Sequence, residues 1–196
     1  MFIAFEGPDN VGKSTTAQEL STDHHPFYNV TKSIHDFQTQ LAKAKDVPDS
    51  VVTYDRIDWF SHMVYRLSLP DRDWNDDRPR TVFAMPDTHL VIKLHHPDLS
   101  NFMADEVVST PIAEVNPMYG YFTGFLMDMN IVRNFALFKT ISLVEVRNDP
   151  ISGSYSQHLR EFSSPVMGLE SVSTRLVDTN EKLLELLRLD DSLRNN

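Results

Sequence analysis

Short apolar runs alternate with longer stretches of mixed polarity along this chain. Brief apolar runs that end at glycine, proline or a charge are typical of strands buried on both faces, whereas apolar residues at helical spacing indicate a helix with one buried face. The predicted strands are Phe2–Phe5, Phe27–Thr31, Val51–Tyr54, His89–Leu94 and Ile141–Val146. The predicted helices are Lys13–Leu20, Phe37–Lys45, Trp59–Leu67, Leu126–Phe138 and Val172–Leu189.

Strands that alternate with helices predict βαβ units, and successive βαβ units build a parallel sheet with helices on both faces. We therefore expect the α/β class, with a doubly wound sheet of about five parallel strands and flanking helices. The sequence shows no internal repeat or low-complexity tract, so residues 1–196 are interpreted as a single domain. The charged segment 71–80 is predicted to be a solvated loop.

Composition then excludes several kinds of chemistry. The chain has no cysteine, which excludes disulfides, zinc–thiolate sites and a cysteine nucleophile. Its net charge of −10 argues against a broad basic surface for nucleic acid. No run approaches the roughly 18 apolar residues of a membrane span, and MFIAFEG at the N-terminus lacks the basic start of a signal peptide. We expect a cytoplasmic protein with no membrane partner.

Glycine is scarce, with six residues in all, and two of them lie in one window near the N-terminus. The window Gly7–Ser14 reads GPDNVGKS and fits the phosphate-binding pattern G-x-x-x-x-G-K-[ST] without a mismatch. Gly7 and Gly12 allow a close backbone approach, so that N–H groups and the following helix N-terminus can bind phosphate oxygens. Lys13 supplies a cation for the β- and γ-phosphates, and the Ser14 hydroxyl is a natural Mg²⁺ ligand. A predicted strand before the window and a helix after it support this interpretation.

A second charged pair, Asp55-Arg56, follows a predicted strand. In a parallel sheet the carboxyl ends of the strands line one crevice, so this pair is expected beside the phosphate-binding window. A carboxylate there can hold Mg²⁺ or accept a proton, and an arginine can bind an anionic acceptor through its planar fork. The alternative interpretation is a surface ion pair at the end of a strand. The predicted catalytic residues are Lys13, Asp55 and Arg56, with Ser14 and Asp55 as metal ligands.

These residues make the chain similar to the thymidylate kinase family of P-loop nucleotide kinases, and especially to its short bacteriophage members. The segment Phe2–Thr15 is close to the family's F-I-x-F-E-G-x-D-G-x-G-K-S-T. Asp55-Arg56, followed by Ser61 and Tyr65, resembles D-R-x-x-x-S-x-x-x-Y, and Pro86–Leu94 resembles the P-D-L-x-x-x-L-D strand. The resemblance covers about the first half of the chain.

The resemblance implies a P-loop NTPase fold, ATP and Mg²⁺ as cofactors, and transfer of the ATP γ-phosphate to a thymine-like pyrimidine deoxynucleotide. Asp9 would face the sugar of the acceptor, and Arg56 would hold the acceptor or the transferred group. Glu6, at the end of the strand, is a further candidate. The residues implied in nucleotide binding are Gly7, Pro8, Asp9, Asn10, Val11, Gly12, Lys13, Ser14 and Thr15.

The sequence departs from the family in three places. No F-T-R-E-P-like segment, which binds the acceptor in cellular members, lies between the loop and Asp55. Asn10 stands where glycine is usual. The stretch 95–125, where a lid is expected, contains no arginine, although such kinases need cations around the transferred group. The remaining arginines that could supply one are Arg56, Arg66 and Arg133.

Two other functions therefore stay open. One is a phage kinase that phosphorylates 5-hydroxymethyluracil within DNA, and the other is a nucleotide-binding module without catalysis. The adjacent histidine pairs at 24–25 and 95–96 are interpreted as loop residues rather than metal ligands, and a homodimer is left open. An aromatic cluster is expected to pack in the core or a lid, with stacking on a base as the alternative. Its members are Tyr119, Tyr121, Phe122 and Phe125.

Overall fold

The structure is a computed structural model that describes residues 1–20, 28–31, 51–74, 83–97, 111–132, 137–148, 154–163, 175–176 and 180–194. The strands are β1 (Phe2–Glu6), β2 (Tyr28–Thr31), β3 (Val52–Ile57), β4 (Met85–His95), β5 (Phe138–Asn148), β6 (Tyr155–Ser163) and β7 (Arg175–Leu176). The helices are α1 (Lys13–Leu20), α2 (Asp58–Ser68), α3 (Ile112–Val132) and α4 (Asn180–Arg194). None of the helices among these residues is long and apolar enough to cross a membrane.

The strands form one sheet in the order β2-β3-β1-β4-β5-β6-β7. The strands from β2 to β5 in that order pair in parallel, and β1 lies between β3 and β4. β6 and β7 extend the sheet in antiparallel pairing. The predicted α/β fold with a parallel sheet is confirmed. The antiparallel strands β6 and β7 were not predicted, because they lie beyond Ile141–Val146, the last apolar run that was identified as a strand.

Apolar side chains fill both faces of the sheet, which is the doubly wound arrangement that was predicted. One core lies between the sheet and the helices α2 and α3, with Phe60 and Tyr119 among its fully buried members. The other core lies between the sheet and the helices α1 and α4, through Ala17 and Leu187. The central strand β1 is buried along its whole length because helices cover it on both sides.

The prediction of a helix over Leu126–Phe138 was wrong in its bounds. The helix α3 begins at Ile112, and Phe138 belongs to β5. Pro117 lies inside α3, and such a residue ordinarily argues against a helix. Here the buried side chains of α3 override that local preference by packing on the sheet. Residues 112–125 of the expected lid are therefore part of a core helix.

Other predicted elements agree with the structure to different degrees. The predicted C-terminal helix Val172–Leu189 was placed too early, because Arg175–Leu176 forms β7 and α4 begins at Asn180. Strand β4 begins at Met85, before Pro86, rather than at His89. The predicted helix Phe37–Lys45, the histidines at 24–25, residues 98–110 of the expected lid and Arg133 lie outside the described residues.

Candidate functional site

The loop between β1 and α1 has a backbone that only certain residues adopt. Gly7, Asn10 and Gly12 have φ values of 140°, 60° and 78°. A Cβ on Gly7 would lie 2.0 Å from the carbonyl oxygen of Lys93 on β4, so glycine is required there by contact as well as by φ. Asparagine tolerates the left-handed region better than most residues. The departure at Asn10 is therefore compatible with this backbone.

Lys13 folds back across this loop. Its Nζ donates to the Pro8 carbonyl at 2.5 Å, and the side chain is almost fully buried. Burial, together with the positive charge of Arg56, lowers the pKa of Lys13 to about 8 against the opposing effect of nearby carboxylates. The loop therefore holds a cation in a partly desolvated position, where its interaction with an anion is strong.

Ser14, in the first turn of α1, meets Asp55 near the carboxyl end of β3. The Ser14 hydroxyl donates to Asp55 Oδ2, while the buried Asp55 Oδ1 has no hydrogen-bond partner among the described residues. A hydroxyl beside a carboxylate with a spare oxygen fits the oxygen ligands that Mg²⁺ prefers. The described residues contain no group of three or more His, Cys, Asp or Glu able to hold a metal. A Mg²⁺ ion at this point would therefore depend on phosphate oxygens and water for its remaining ligands.

Arg56 follows Asp55 and points to the other side of the loop. Its φ is 78°, a conformation that costs a bulky residue about 1–3 kcal/mol and recurs at functional sites. The guanidinium donates to Asp9, and to the hydroxyls of Ser61, Tyr119 and Tyr65 at 3.3 Å each. It also lies 5.4 Å from the centre of the Tyr65 ring. Burial opposes its charge, but the surrounding oxygens outweigh that effect and raise the pKa of Arg56.

Glu6, at the end of β1, bonds the residues that surround Arg56. It is fully buried and accepts hydrogen bonds from Ile57 N–H at 2.5 Å, the Ser61 hydroxyl at 2.9 Å and the Tyr119 hydroxyl at 3.0 Å. Burial raises the pKa of Glu6, and the nearby charge of Arg56 opposes that shift. Because Glu6 binds the residue after Arg56 and two partners of its guanidinium, it orients Arg56.

The interpretation of His95 as a loop residue was wrong, because it is the buried last residue of β4. It contacts the phosphate-binding loop and was not predicted as a site residue. Its Nε2 donates to the Asp9 carbonyl at 2.8 Å, and burial lowers the pKa of the imidazole. Asn116 on α3 accepts from the His95 N–H at 2.9 Å and donates to the His95 carbonyl at 3.0 Å. His95 thus fixes the peptide of Asp9. Its neighbour His96 instead lies by Arg147 and Glu145.

Lys93, also on β4, was missed as well. It is fully buried, and its Nζ donates to Thr16 Oγ1 and, at 3.0 Å, to the Tyr155 hydroxyl. Burial lowers the pKa of Lys93 to about 7; the negative charge of Glu19 opposes this shift, and the positive charge of Lys13 adds to it. One signal was available in the sequence, since a lysine interrupts the apolar run Leu90–Leu94.

The structure brings the predicted residues together at one edge of the sheet, where Ser14 meets Asp55 and Asp9 meets Arg56. The members of the aromatic cluster in the segment 119–125 differ in burial. Tyr119 and Phe122 are buried, whereas Tyr121 and Phe125 are exposed. Arg66 lies on α2, near its end, and is half-buried.

No family model matches this sequence, and no curated protein matches it. Among solved structures, the YorR protein from Bacillus subtilis in complex with phosphorylated GDP is 19% identical, with a TM-score of 0.40, over 64% of this chain and 80% of that chain. The flagellar accessory protein FlaH from Methanocaldococcus jannaschii is 10% identical, with a TM-score of 0.23, over 88% of this chain and 82% of that chain. At these TM-scores, neither structure adds to what the sheet order and loop of this chain establish.

β1 lies at the centre of the parallel part of the sheet. The loop with its three positive-φ residues connects β1 to the helix α1. This arrangement defines the P-loop NTPase fold, in which such a loop binds the phosphates of a nucleotide.

Proposed function

We propose that the protein is a Mg²⁺-dependent kinase that transfers the γ-phosphate of ATP to a thymine-like pyrimidine deoxynucleoside monophosphate. One observation carries the proposal: the adjacent residues Asp55 and Arg56 contact the two sides of the loop, at Ser14 and at Asp9. These contacts support a donor site beside Asp55 and an acceptor site beside Arg56, next to each other as direct transfer between two phosphates requires.

On the donor side, backbone N–H groups of the loop and the N-terminus of α1 would bind the phosphates. Lys13 would contact the β- and γ-phosphates from its buried position, and Ser14 and Asp55 would hold Mg²⁺. When bound, Mg²⁺ neutralises charge on the phosphates and orients them. The chain's own contribution is to keep these groups fixed before the nucleotide arrives, which reduces the reorganisation needed during transfer.

On the acceptor side, Arg56 would bind the monophosphate. The Arg56 side chain is 17% exposed, and its guanidinium is oriented by four hydrogen-bond partners. A planar guanidinium binds a phosphate through two parallel hydrogen bonds, which here would replace two of the 3.3 Å contacts to hydroxyl groups. Asp9, one third exposed beside Arg56, would face the sugar hydroxyl.

The state of the acceptor-side carboxylates supports a phosphate acceptor over a hydroxyl in DNA. A hydroxyl needs a base to take its proton, whereas a monophosphate, with a second pKa of about 6, is already ionised at neutral pH. Both carboxylates described on this side are engaged, Asp9 by Arg56 and Glu6 by three donors. The net charge of −10 points in the same direction, because DNA binding depends largely on phosphate contacts.

A panel of acceptors tests the proposal. The protein is incubated with Mg²⁺ and ATP labelled at the γ-phosphate, together with each free deoxynucleoside monophosphate or with DNA containing 5-hydroxymethyluracil. We expect labelled diphosphate from thymine-like monophosphates and none from the Lys13→Ala variant. Label found only in the DNA would replace the proposal with the DNA kinase. ATP binding without transfer to any acceptor would leave a nucleotide-binding module.

Asp55→Asn tests the assignment of the Mg²⁺ ligand. The neutral amide binds a hard cation more weakly and presents N–H donors toward Ser14, so we expect turnover to fall about 100-fold and the half-saturating Mg²⁺ concentration to rise. Initial rates across a Mg²⁺ titration measure both effects. Asp128→Asn makes the same chemical change at an exposed position on α3 and should leave both values unchanged. An unaltered Mg²⁺ requirement in Asp55→Asn would remove Asp55 from the metal site.

A further inference from the structure

Lys93 is a buried charged residue for which the proposed transfer has no use. It lies behind the phosphate-binding loop on β4, on the face of the sheet that α1 covers. Burial of a lysine carries a large desolvation cost unless its ammonium is well bonded. Here the ammonium has two oxygen partners and lies 5.8 Å from the centres of the Phe5 and Tyr155 rings. The cost of burying this ammonium indicates a role beyond packing.

The first bond of Lys93 leads to the loop. Lys93 donates to Thr16 Oγ1, and the same Thr16 hydroxyl donates to the Gly12 carbonyl at 3.0 Å, beside the helical bond from the Thr16 N–H at 3.1 Å. Because Thr16 Oγ1 accepts a hydrogen bond from Lys93, its own proton is directed toward the Gly12 carbonyl. The two hydrogen bonds polarise and strengthen each other. Without Lys93 the hydroxyl has another acceptor within reach, since Asn180 Oδ1 lies 3.5 Å away.

The Gly12 carbonyl controls a phosphate-binding donor. Because a peptide group is planar and trans, the direction of the Gly12 C=O determines the direction of the Lys13 N–H on the same peptide. That N–H is one of the donors with which a loop and helix N-terminus of this kind bind phosphate. The second bond of Lys93 reaches Tyr155, whose ring lies 3.8 Å from where a Cβ of Gly12 would stand. Thr16 therefore bonds Gly12 directly, and Tyr155 lies beside it.

We infer that Lys93 is a positioning residue for the donor nucleotide, acting through the Thr16 hydroxyl on the Gly12–Lys13 peptide. The inference rests on the proposed function only in that a nucleoside triphosphate occupies the loop. It assigns Lys93 no contact with the acceptor, which lies on the side of Arg56 and Asp9.

Lys93→Met tests the inference, because methionine keeps much of the length and volume of the side chain and removes its donors. We expect MgATP binding, measured by titration calorimetry without any acceptor, to weaken about tenfold. In the transfer assay the KM for ATP should rise by a similar factor, while the KM for the acceptor stays within about twofold. Lys182→Met, at an exposed position on α4, is the matched control and should bind MgATP like the wild type.

A double-mutant cycle separates this role from general packing. Thr16→Val should weaken MgATP binding as Lys93→Met does, and Thr16→Ser, which keeps the hydroxyl, should bind like the wild type. The double variant Lys93→Met/Thr16→Val should be no weaker than either single variant, because both act through one chain of hydrogen bonds. Multiplying effects, unchanged MgATP affinity in Lys93→Met, or an equal rise of both KM values would overturn the inference.

The pH dependence of stability checks that the ammonium is buried as described. The titratable groups that face Lys93 are Lys13, Glu19 and Tyr155. With a folded pKa of about 7 and an unfolded pKa of about 10.4, the unfolded chain binds the extra proton between these values, so wild-type stability should rise with pH across this window. Lys93→Met should lose that part of the rise in melting temperature. An identical pH slope in both proteins would place the ammonium in water and contradict the inference.

These experiments distinguish failure of the inference from failure of the proposed function. Wild-type protein that binds MgATP but transfers nothing refutes the kinase, and the calorimetric arm still tests Lys93. Wild-type protein that binds no nucleoside triphosphate refutes both.

Discussion

Replacing Lys13 with alanine is expected to reduce phosphoryl transfer by about 1,000-fold. Charge develops on the transferred group and the leaving phosphates in the transition state, and a fixed cation in a desolvated position stabilises that charge strongly. Lys13 is such a cation, since it is almost fully buried and oriented across the loop by the Pro8 carbonyl. Initial rates at saturating ATP and acceptor measure the loss.

The same variant should remain folded. Burial lowers the pKa of Lys13 to about 8, which means that its charged form is less favourable in the folded chain than in the unfolded chain. Removal of this lysine should therefore reduce the gain in stability between about pH 8 and 10.4. Lys182→Ala is the control for the loss of an exposed lysine. A Lys13→Ala variant that keeps a tenth of the wild-type rate would contradict the role given to this residue.

Gly7→Ala is expected to have the largest effect on stability. The new Cβ would lie 2.0 Å from the Lys93 carbonyl oxygen and 3.2 Å from a methyl group of Val11, and the φ of 140° is unsuited to alanine. Backbone strain and overpacking each cost about 1–3 kcal/mol, so a loss of about 4 kcal/mol in the free energy of unfolding is expected. In a chain of this size that loss lowers the melting temperature by roughly 8 to 16 °C.

Gly124→Ala provides the matched comparison for this prediction. Gly124 lies within α3, and a Cβ added there would meet no atom within 4 Å. The same glycine-to-alanine change should stabilise the helix by about 0.5–1 kcal/mol. Thermal unfolding of the two variants beside the wild type measures the difference. Equal melting temperatures for Gly7→Ala and Gly124→Ala would mean that β4 does not approach the loop as described.

Local patterns identified the parts of the site that are continuous in the chain. The pattern of Gly7–Ser14 determines the loop because its glycines, lysine and serine must stand at set spacings along one segment. Asp55-Arg56 could also be placed from the sequence, since the pair ends a strand and parallel strands present their carboxyl ends to one crevice. The conformation of Arg56 could not be placed in this way, because φ of 78° in an arginine depends on Glu6 and the tyrosines that hold it.

The helix α3 shows where local pattern misleads. Pro117 and Gly120 are poor helix formers, and they lie inside the helix because Tyr119 and Phe122 are buried against the sheet and α2. Tyr119 was expected in the core or a lid, or stacked on a base. Its ring is buried in the core while its hydroxyl contacts Glu6 and Arg56, so the side chain serves both the core and the site.

The sequence by itself determined the α/β class, the parallel pairing of the main strands and the phosphate-binding loop, because each depends on residues close together in the chain. Only the tertiary structure decided which side chains support that loop. Lys93 meets Thr16, His95 meets Asp9, and Tyr119 meets Glu6 across 77, 86 and 113 positions of the sequence. These contacts exist because β4 pairs with β1 and α3 packs against the sheet, a consequence of strand order that no local pattern of residues specifies.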